Sequence, residues 1–302
     1  MKFQAGLGVA YKFALKFNEK SVRSARKILE RIIMILASNY DEIDFDALYK
    51  AQKARSSFGK KFAADWDKKA PSFNEGVMKS AYAREFIDKV DFMDVSTLLD
   101  FACGAGALSV LAAKKVDQIY GYDFSPKMLE FARKNTQIYG VKNVKFAQKA
   151  FEDDWSDVPE CDVVLASRCL EVDDLKTALS KLLSKTKKSL YIMFKVGGSF
   201  VDEDVLGAIG RKVEQKPDFV YLLNILFQMG YLPSLSYIKA RCHAGPASSA
   251  EELIQKTRWG LGGELSEAEE ARLAEYFNSG KYEPERDFMH WAFVRVDKVN
   301  RA

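Results

Sequence analysis

Between Ser21 and Ser38 the apolar residues Val22, Ala25, Ile28, Leu29, Ile32, Ile33 and Leu36 recur at helical spacing, predicting an amphipathic helix. From Asp41 to Val90 the pattern stays helical but is broken at Gly59, Pro71 and Gly76, with Phe58, Phe62, Trp66, Phe73 and Tyr82 supplying large apolar surface. Together these predict an N-terminal helical cap over residues 1–90. At Thr97 the pattern changes. Short apolar runs at Thr97–Phe101, Gln118–Tyr122, Val144–Ala147, Asp162–Ala166 and Ser189–Val196 alternate with helical stretches at Leu108–Lys114, Lys127–Tyr139 and Asp174–Ser184. That alternation is the signature of βαβ units building a parallel sheet.

Beyond it, Val201–Gln228 reads as helical, and Leu235–Arg241 and Met289–Val296 read as strands separated by a helical insertion at about 242–285. Two helix starts in the insertion carry the Ser-x-x-Glu spacing of a reciprocal cap, Ser249 with Glu252 and Ser266 with Glu269. The expected fold is α/β: a doubly wound, mostly parallel seven-stranded sheet with an antiparallel C-terminal edge strand, occupying 91–302.

Charge narrows the function classes only slightly. Over 302 residues, 46 basic side chains nearly balance 42 acidic ones, leaving +4. The imbalance is local: from Met1 to Tyr40, Lys2, Lys12, Lys16, Lys20, Arg23, Arg26, Lys27 and Arg31 face only Glu19 and Glu30. A solvated basic face and an anion-binding surface both fit that segment. Cys103, Cys161, Cys169 and Cys242 lack the close paired spacing of a zinc site or disulfide framework, so no metal is expected. With no apolar run of membrane-spanning length, a cytoplasmic protein without integral membrane association is expected.

The chemistry concentrates where the first strand ends. Leu98-Leu99-Asp100-Phe101-Ala102-Cys103-Gly104-Ala105-Gly106 closes a buried strand with a carboxylate, then turns through small residues into a helix. Small residues let backbone approach a ligand, and the carboxyl end of the first strand is where open α/β sheets bind one. A dinucleotide fingerprint, G-x-G-x-x-G, would require glycine where Ser109 stands. Asp100 is poorly placed against a pyrophosphate but suits a ligand carrying an ammonium and a sulfonium. Asp123, ending the second strand, suits a ribose diol on either kind of cofactor.

With these residues the chain resembles the class I, Rossmann-like S-adenosylmethionine-dependent methyltransferases. D-x-A-C-G-A-G stands for their D/E-x-G-x-G-x-G, Ala102 replacing the first glycine, and Tyr122-Asp123-Phe124-Ser125-Pro126-Lys127-Met128-Leu129 is similar to their D-x-S-x-x-M-L run. The likeness spans about Leu98–Leu183. It implies S-adenosyl-L-methionine as cofactor. The turn residues Asp100, Ala102, Cys103, Gly104 and Gly106 would meet its amino-acid portion, Asp123 the ribose, and Phe124 and Met128 would belong to the same site. Phe151, with Glu152 or Asp153, would border adenine. Ser167-Arg168-Cys169-Leu170-Glu171 looks like the family's S-x-x-L-E segment lining the pocket beside the methyl. There Ser167 would border the cofactor, and Arg168 would orient an acceptor carboxylate or phosphate, or pair with Glu171 or another acid.

Methyl transfer depends chiefly on alignment, so a base is optional. Tyr122, Lys195, Arg241, His243 and Trp259 are further candidates to orient or deprotonate an acceptor, whereas His290, beside Trp291 in the last strand, reads as packed or surface-satisfied. The aromatic residues outside the sheet suit an enclosed pocket for a small or medium-sized organic acceptor. The alternatives are an RNA (tRNA or rRNA) methyltransferase that uses the basic N-terminal segment, and a non-catalytic adenosylmethionine-binding module.

Overall fold

The computed structural model describes residues 39–197, 201–241, 246–283 and 288–298. The predicted helix at Ser21–Ser38, the basic segment up to Ser38, Cys242 and His243 lie outside them. The chain divides into two compact units, Met1–Leu48 and Tyr49–Ala302. Of the first, the described part is a single 3-10 turn, Tyr40–Glu42, capped by the Asn39 side chain, and the beginning of helix α1 (Phe45–Arg55).

The second unit is built on a seven-stranded sheet. Its strands are β1 (Thr97–Phe101), β2 (Gln118–Asp123), β3 (Val144–Gln148), β4 (Cys161–Ser167), β5 (Thr186–Lys195), β6 (Ser234–Arg241) and β7 (Phe288–Asp297). Their order is β3-β2-β1-β4-β5-β7-β6. The first five are parallel, and β7 enters antiparallel between β5 and β6. The central strands have no polar face because helices cover both sides: Leu98, Leu99, Val164, Leu165, Leu190 and Ile192 are fully buried. Each such side chain contributes on the order of 2 kcal/mol.

The βα helices are α4 (Ala107–Ala112), α5 (Pro126–Ile138) and α6 (Leu175–Ser184), α6 capped by Asp174. Ahead of the sheet come α2 (Ala63–Val77) and α3 (Ala81–Asp88); after β5 come α7 (Glu203–Ile209) and α8 (Phe219–Gln228). The helical stretch expected at Val201–Gln228 is therefore two helices. Gly210 ends α7 in the left-handed conformation (φ +73°), and Pro217 precedes the Asp218 cap that starts α8. Between β6 and β7 the chain forms α9 (Ala250–Leu261) and α10 (Glu267–Asn278). Ser266 and Glu269 make the full reciprocal cap. At α9 only half forms: Ser249 accepts from the Glu252 amide, while the Glu252 carboxylate takes the backbone N–H of Ser248 instead.

Among the described residues, one apolar core packs α3 and α4 on the sheet, with Phe86, Leu98, Ile119 and Tyr191 at its centre. Another joins Phe58 to α7, α9 and α10 through Val205, Ile209, Leu253, Leu261 and Leu273. The chain after α1 is fastened to α9 by the Gly59 amide, which donates to Leu261 O at 2.8 Å. A β-carbon on Gly59 would stand 1.9 Å from the Gly262 carbonyl oxygen, so this crossing of two backbones demands glycine. Among the described residues no helix is long and apolar enough to cross a membrane.

Candidate functional site

The strand order reverses between β1 and β4, since β2 and β3 add on one side of β1 and β4 on the other. Open α/β sheets bind ligands at the strand carboxyl ends beside such a switch point, and Asp100, Asp123, Ser167 and Arg168 stand at those ends. Asp100 is the penultimate residue of β1, Asp123 ends β2, and Ser167 ends β4 with Arg168 directly after it.

The turn after β1 is tight. Ala102, Gly104 and Gly106 all have positive φ, +57°, +54° and +78°. Alanine there carries a steric cost of about 1 kcal/mol that glycine would not. The Cys103 amide donates to Tyr122 O at 2.9 Å and the Gly104 amide to Asp123 Oδ2 at 2.8 Å, which ties the turn to the end of β2. Asp123 Oδ1 accepts from the Ser125 amide at 2.9 Å. Ser109, the residue that departs from the dinucleotide pattern, is fully buried and donates its hydroxyl to Asp100 Oδ2 at 2.6 Å. A glycine could not make that bond.

Asp100 and Asp123 are 1% and 4% exposed, and among the described residues neither forms an ion pair with a cationic side chain. Burial pushes both carboxyls up to about 6, against the hydrogen bonds from Ser109 in one case and from the Ser125 and Gly104 amides in the other. Two buried acids on neighbouring strands thus lack a positive partner. Burial likewise pushes up the thiols of Cys103 and Cys169 beside them.

Helix α2 closes over this turn, a placement the sequence did not reveal. A β-carbon on Gly104 would meet the Phe73 ring at 3.3 Å. Asp67 Oδ1 accepts from Ser125 Oγ at 2.5 Å and from the Lys127 amide at 3.1 Å, while Ser125 caps α5 through the Met128 amide. Asn135, from α5, donates to Asn74 Oδ1 and to Ala105 O. No sequence signal marks Asp67, because its partners are some sixty residues away.

Beyond β3, Phe101, Phe151 and Trp155 form one aromatic cluster, with Phe101 to Phe151 and Phe101 to Trp155 centroids 4.6 and 4.1 Å apart. Asp153 accepts from the Ala150 amide and so shapes its own turn, whereas Glu152 is exposed and 3.8 Å from Lys60 Nζ. The Phe124 carbonyl accepts from Gln148, and Met128 is buried at the first turn of α5.

At the end of β4, Ser167 Oγ hydrogen-bonds the buried Tyr82 hydroxyl. Arg168 has positive φ, +58°, and its guanidinium carbon lies 4.4, 5.5 and 5.8 Å from the Tyr82, Trp291 and Phe73 ring centroids. The alternative pairing with Glu171 does not occur: Glu171 Oε2 is 2.5 Å from Lys216 Nζ, and the lysines around it hold its carboxyl below the usual range despite burial. Of the remaining candidates, Tyr122 stacks on Phe101, and Lys195 is buried with Nζ donating to Gly197 O. Trp259 packs on Trp66, and His290 is exposed on β7. Arg241 ends β6, and its side chain is outside the described residues.

A family model described as a methyltransferase domain matches residues 94–225. An uncharacterised protein of Haemophilus influenzae is 33% identical over 239 residues, covering 78% of this chain and 89% of that one. The crystal structure of a candidate methyltransferase from Bacillus halodurans is similar in fold, with TM-score 0.50 at 14% identity over 72% of this chain and 98% of that one. A shorter match joins 59 residues, 39% identical, to the tRNA (uracil(54)-C(5))-methyltransferase of Saccharomyces cerevisiae, covering 18% of this chain and 9% of that protein.

Proposed function

The chain belongs to the class I S-adenosylmethionine-dependent methyltransferase family, and we propose that it binds S-adenosyl-L-methionine across the ends of β1 and β2 and methylates a small or medium-sized organic acceptor. The observation that carries the cofactor reading is the pair of buried carboxylates, Asp100 and Asp123, with no cationic side chain ion-paired to either among the described residues. A ligand bearing an ammonium and a sulfonium supplies the missing charge, whereas a pyrophosphate would add to the repulsion.

When bound, the cofactor supplies an electrophilic methyl group on sulfur. The turn residues Ala102, Cys103, Gly104 and Gly106 offer backbone to its amino-acid portion, and Asp123 accepts from the ribose hydroxyls. Phe124 and Met128 flank that end of β2, Phe151 packs on adenine, and Ser167 borders the methyl. Of the two acids after β3, Asp153 is engaged with the Ala150 amide, which favours Glu152 for the exocyclic amine. Arg168 orients the acceptor. Residues 91–302 are assigned to the catalytic domain, with α9 and α10 inserted between β6 and β7, and α1, α2 and α3 precede it as an extension.

Calorimetry with S-adenosylhomocysteine tests this directly. Wild-type protein should bind it, and Asp123→Ala should lose at least roughly tenfold in affinity, as expected for a charge-assisted pair of hydrogen bonds. Absence of binding, or unchanged binding in the variant, overturns the reading.

The eight bases between Met1 and Tyr40 favour a second reading, an RNA acceptor. The match to the yeast tRNA enzyme covers too little of that protein to support its substrate here. An RNA methyltransferase would retain RNA in a salt-dependent way and lose that retention on removal of residues 1–40; the small-molecule reading expects no such loss.

A further inference from the structure

A continuous row of aromatic rings runs from Arg168 to the chain between α1 and α2. Phe73 stands 5.8 Å from the Arg168 guanidinium and 6.0 Å from Trp66, Trp66 stands 5.2 Å from Trp259, and Lys61 Nζ lies 4.8 Å from the Trp259 centroid. A cation thus stands at each end. Both are half-buried, and neither has a carboxylate ion-paired to it among the described residues.

The acids within electrostatic reach of Lys61 are already engaged. Glu171 is ion-paired with Lys216, and Asp65 accepts from the Phe62 amide at 2.8 Å. Nearby, Asp173 is held by Lys60 at 2.9 Å. Lys53 adds a further positive charge, donating to the Glu171 backbone carbonyl at 2.8 Å. With Glu152, 3.8 Å from Lys60, and Lys69, 5.5 Å from the Trp259 ring, included, Lys53, Lys60, Lys61, Lys69 and Lys216 face Asp65, Glu152, Glu171 and Asp173, so the balance at this end of the row is positive among the described residues. Burial, with Lys216 and Lys53 close by, pushes the Lys61 ammonium down to about 8, and an arriving anion would reverse that.

We propose that the methyl acceptor carries an oxyanion, a carboxylate or phosphate monoester held by Arg168, on a flat, unsaturated body that lies along the Phe73–Trp66–Trp259 row toward the positive charge of Lys61. Arginine matches the planar, bidentate geometry of either group, lysine contributes a point charge, and the rings supply stacking surface. The assignment rests on the reading of the chain as a small-molecule methyltransferase.

Three probes of one shape test it: 2-naphthoate, 2-naphthyl phosphate and the neutral 2-naphthamide, titrated into full-length protein saturated with S-adenosylhomocysteine and followed by tryptophan fluorescence and calorimetry. At least one anion should bind roughly tenfold or more tightly than the amide, and the stronger of the two identifies the acceptor group. Arg168→Met should remove most of that preference, Lys61→Met should lower it measurably with Lys61→Arg restoring it, and Lys61→Met should leave S-adenosylhomocysteine affinity unchanged. Equal binding of anion and amide, an unchanged preference in either methionine variant, or no binding of any probe overturns the proposal. Displacement of naphthoate by a single-stranded oligoribonucleotide overturns the small acceptor in favour of RNA. Loss of S-adenosylhomocysteine binding in wild-type protein is a separate failure, that of the cofactor reading.

Discussion

At the scale of single residues, the decisive features are carboxylates kept where water cannot reach them. Asp100 and Asp123 titrate near 6 because burial disfavours their charged forms, against about 3.8 for an aspartate in an unfolded chain. Between these values the native state holds more protons than the unfolded one, so stability of the ligand-free protein rises as pH falls from about 6 toward 4 and is lost as pH rises through 6. Binding of a cationic cofactor has the opposite dependence, because it draws on the ionised forms. S-adenosylmethionine affinity measured by calorimetry should fall at least roughly tenfold between pH 7 and pH 5; a flat profile would separate these acids from the cofactor. The positive φ values at Ala102 and Arg168 belong to the same picture. Non-glycine residues in the left-handed region cost energy and persist where the surroundings hold them, commonly at sites of function.

At the scale of elements, α2 couples the N-terminal part of the second unit to the βα turns. Its Asp67 does so twice, bonding the Ser125 hydroxyl that caps α5 and the Lys127 amide in the first turn of that helix. A carboxylate at a helix N-terminus is favoured by the aligned peptide dipoles as well as by the bonds themselves. Asp67→Ala should lower unfolding stability by about 2 kcal/mol in urea titrations, and Asp67→Asn by less, since the amide oxygen still accepts. Equal stability of all three proteins would show that α2 is held by packing alone. The two insertion helices illustrate how local chemistry and context compete. Ser266-x-x-Glu269 closes as a reciprocal cap, and Glu269 is drawn down to about 2 by Arg211, while Glu252 is diverted to Ser248 and Lys256.

At the scale of the molecule, the site is shared among β1, β2, β4 and α2, so ligand binding should be felt by the whole second unit. A ligand that binds only the native state stabilises it by RT ln(1 + [L]/Kd), about 2.7 kcal/mol at a hundredfold excess over Kd. Thermal scans with S-adenosylhomocysteine at that excess should raise the midpoint by roughly 5–10 °C, at about 2–4 °C per kcal/mol for a domain of this size. The shift should fall to about half or less in Asp123→Ala at the same concentration; an undiminished shift there would place the ligand elsewhere.

The sequence alone determined the α/β class, the seven strands, the small-residue turn after Asp100 and the carboxylate of Asp123. These are local signals: a two-residue period in strands, a 3.6-residue period in helices, and glycine where backbone must turn sharply. The bend that splits Val201–Gln228 was also written locally, in Gly210 and Pro217, but the strong apolar run around it masked the break. What the tertiary structure decided was which distant groups meet. Ser109 binds Asp100, Asp67 binds the start of α5, Phe73 covers Gly104, and Glu171 takes Lys216, leaving Arg168 on its aromatic rings. Each is a pairing across a chain reversal or between layers. Such contacts have no period and no spacing in the sequence, and only packing in three dimensions selects them.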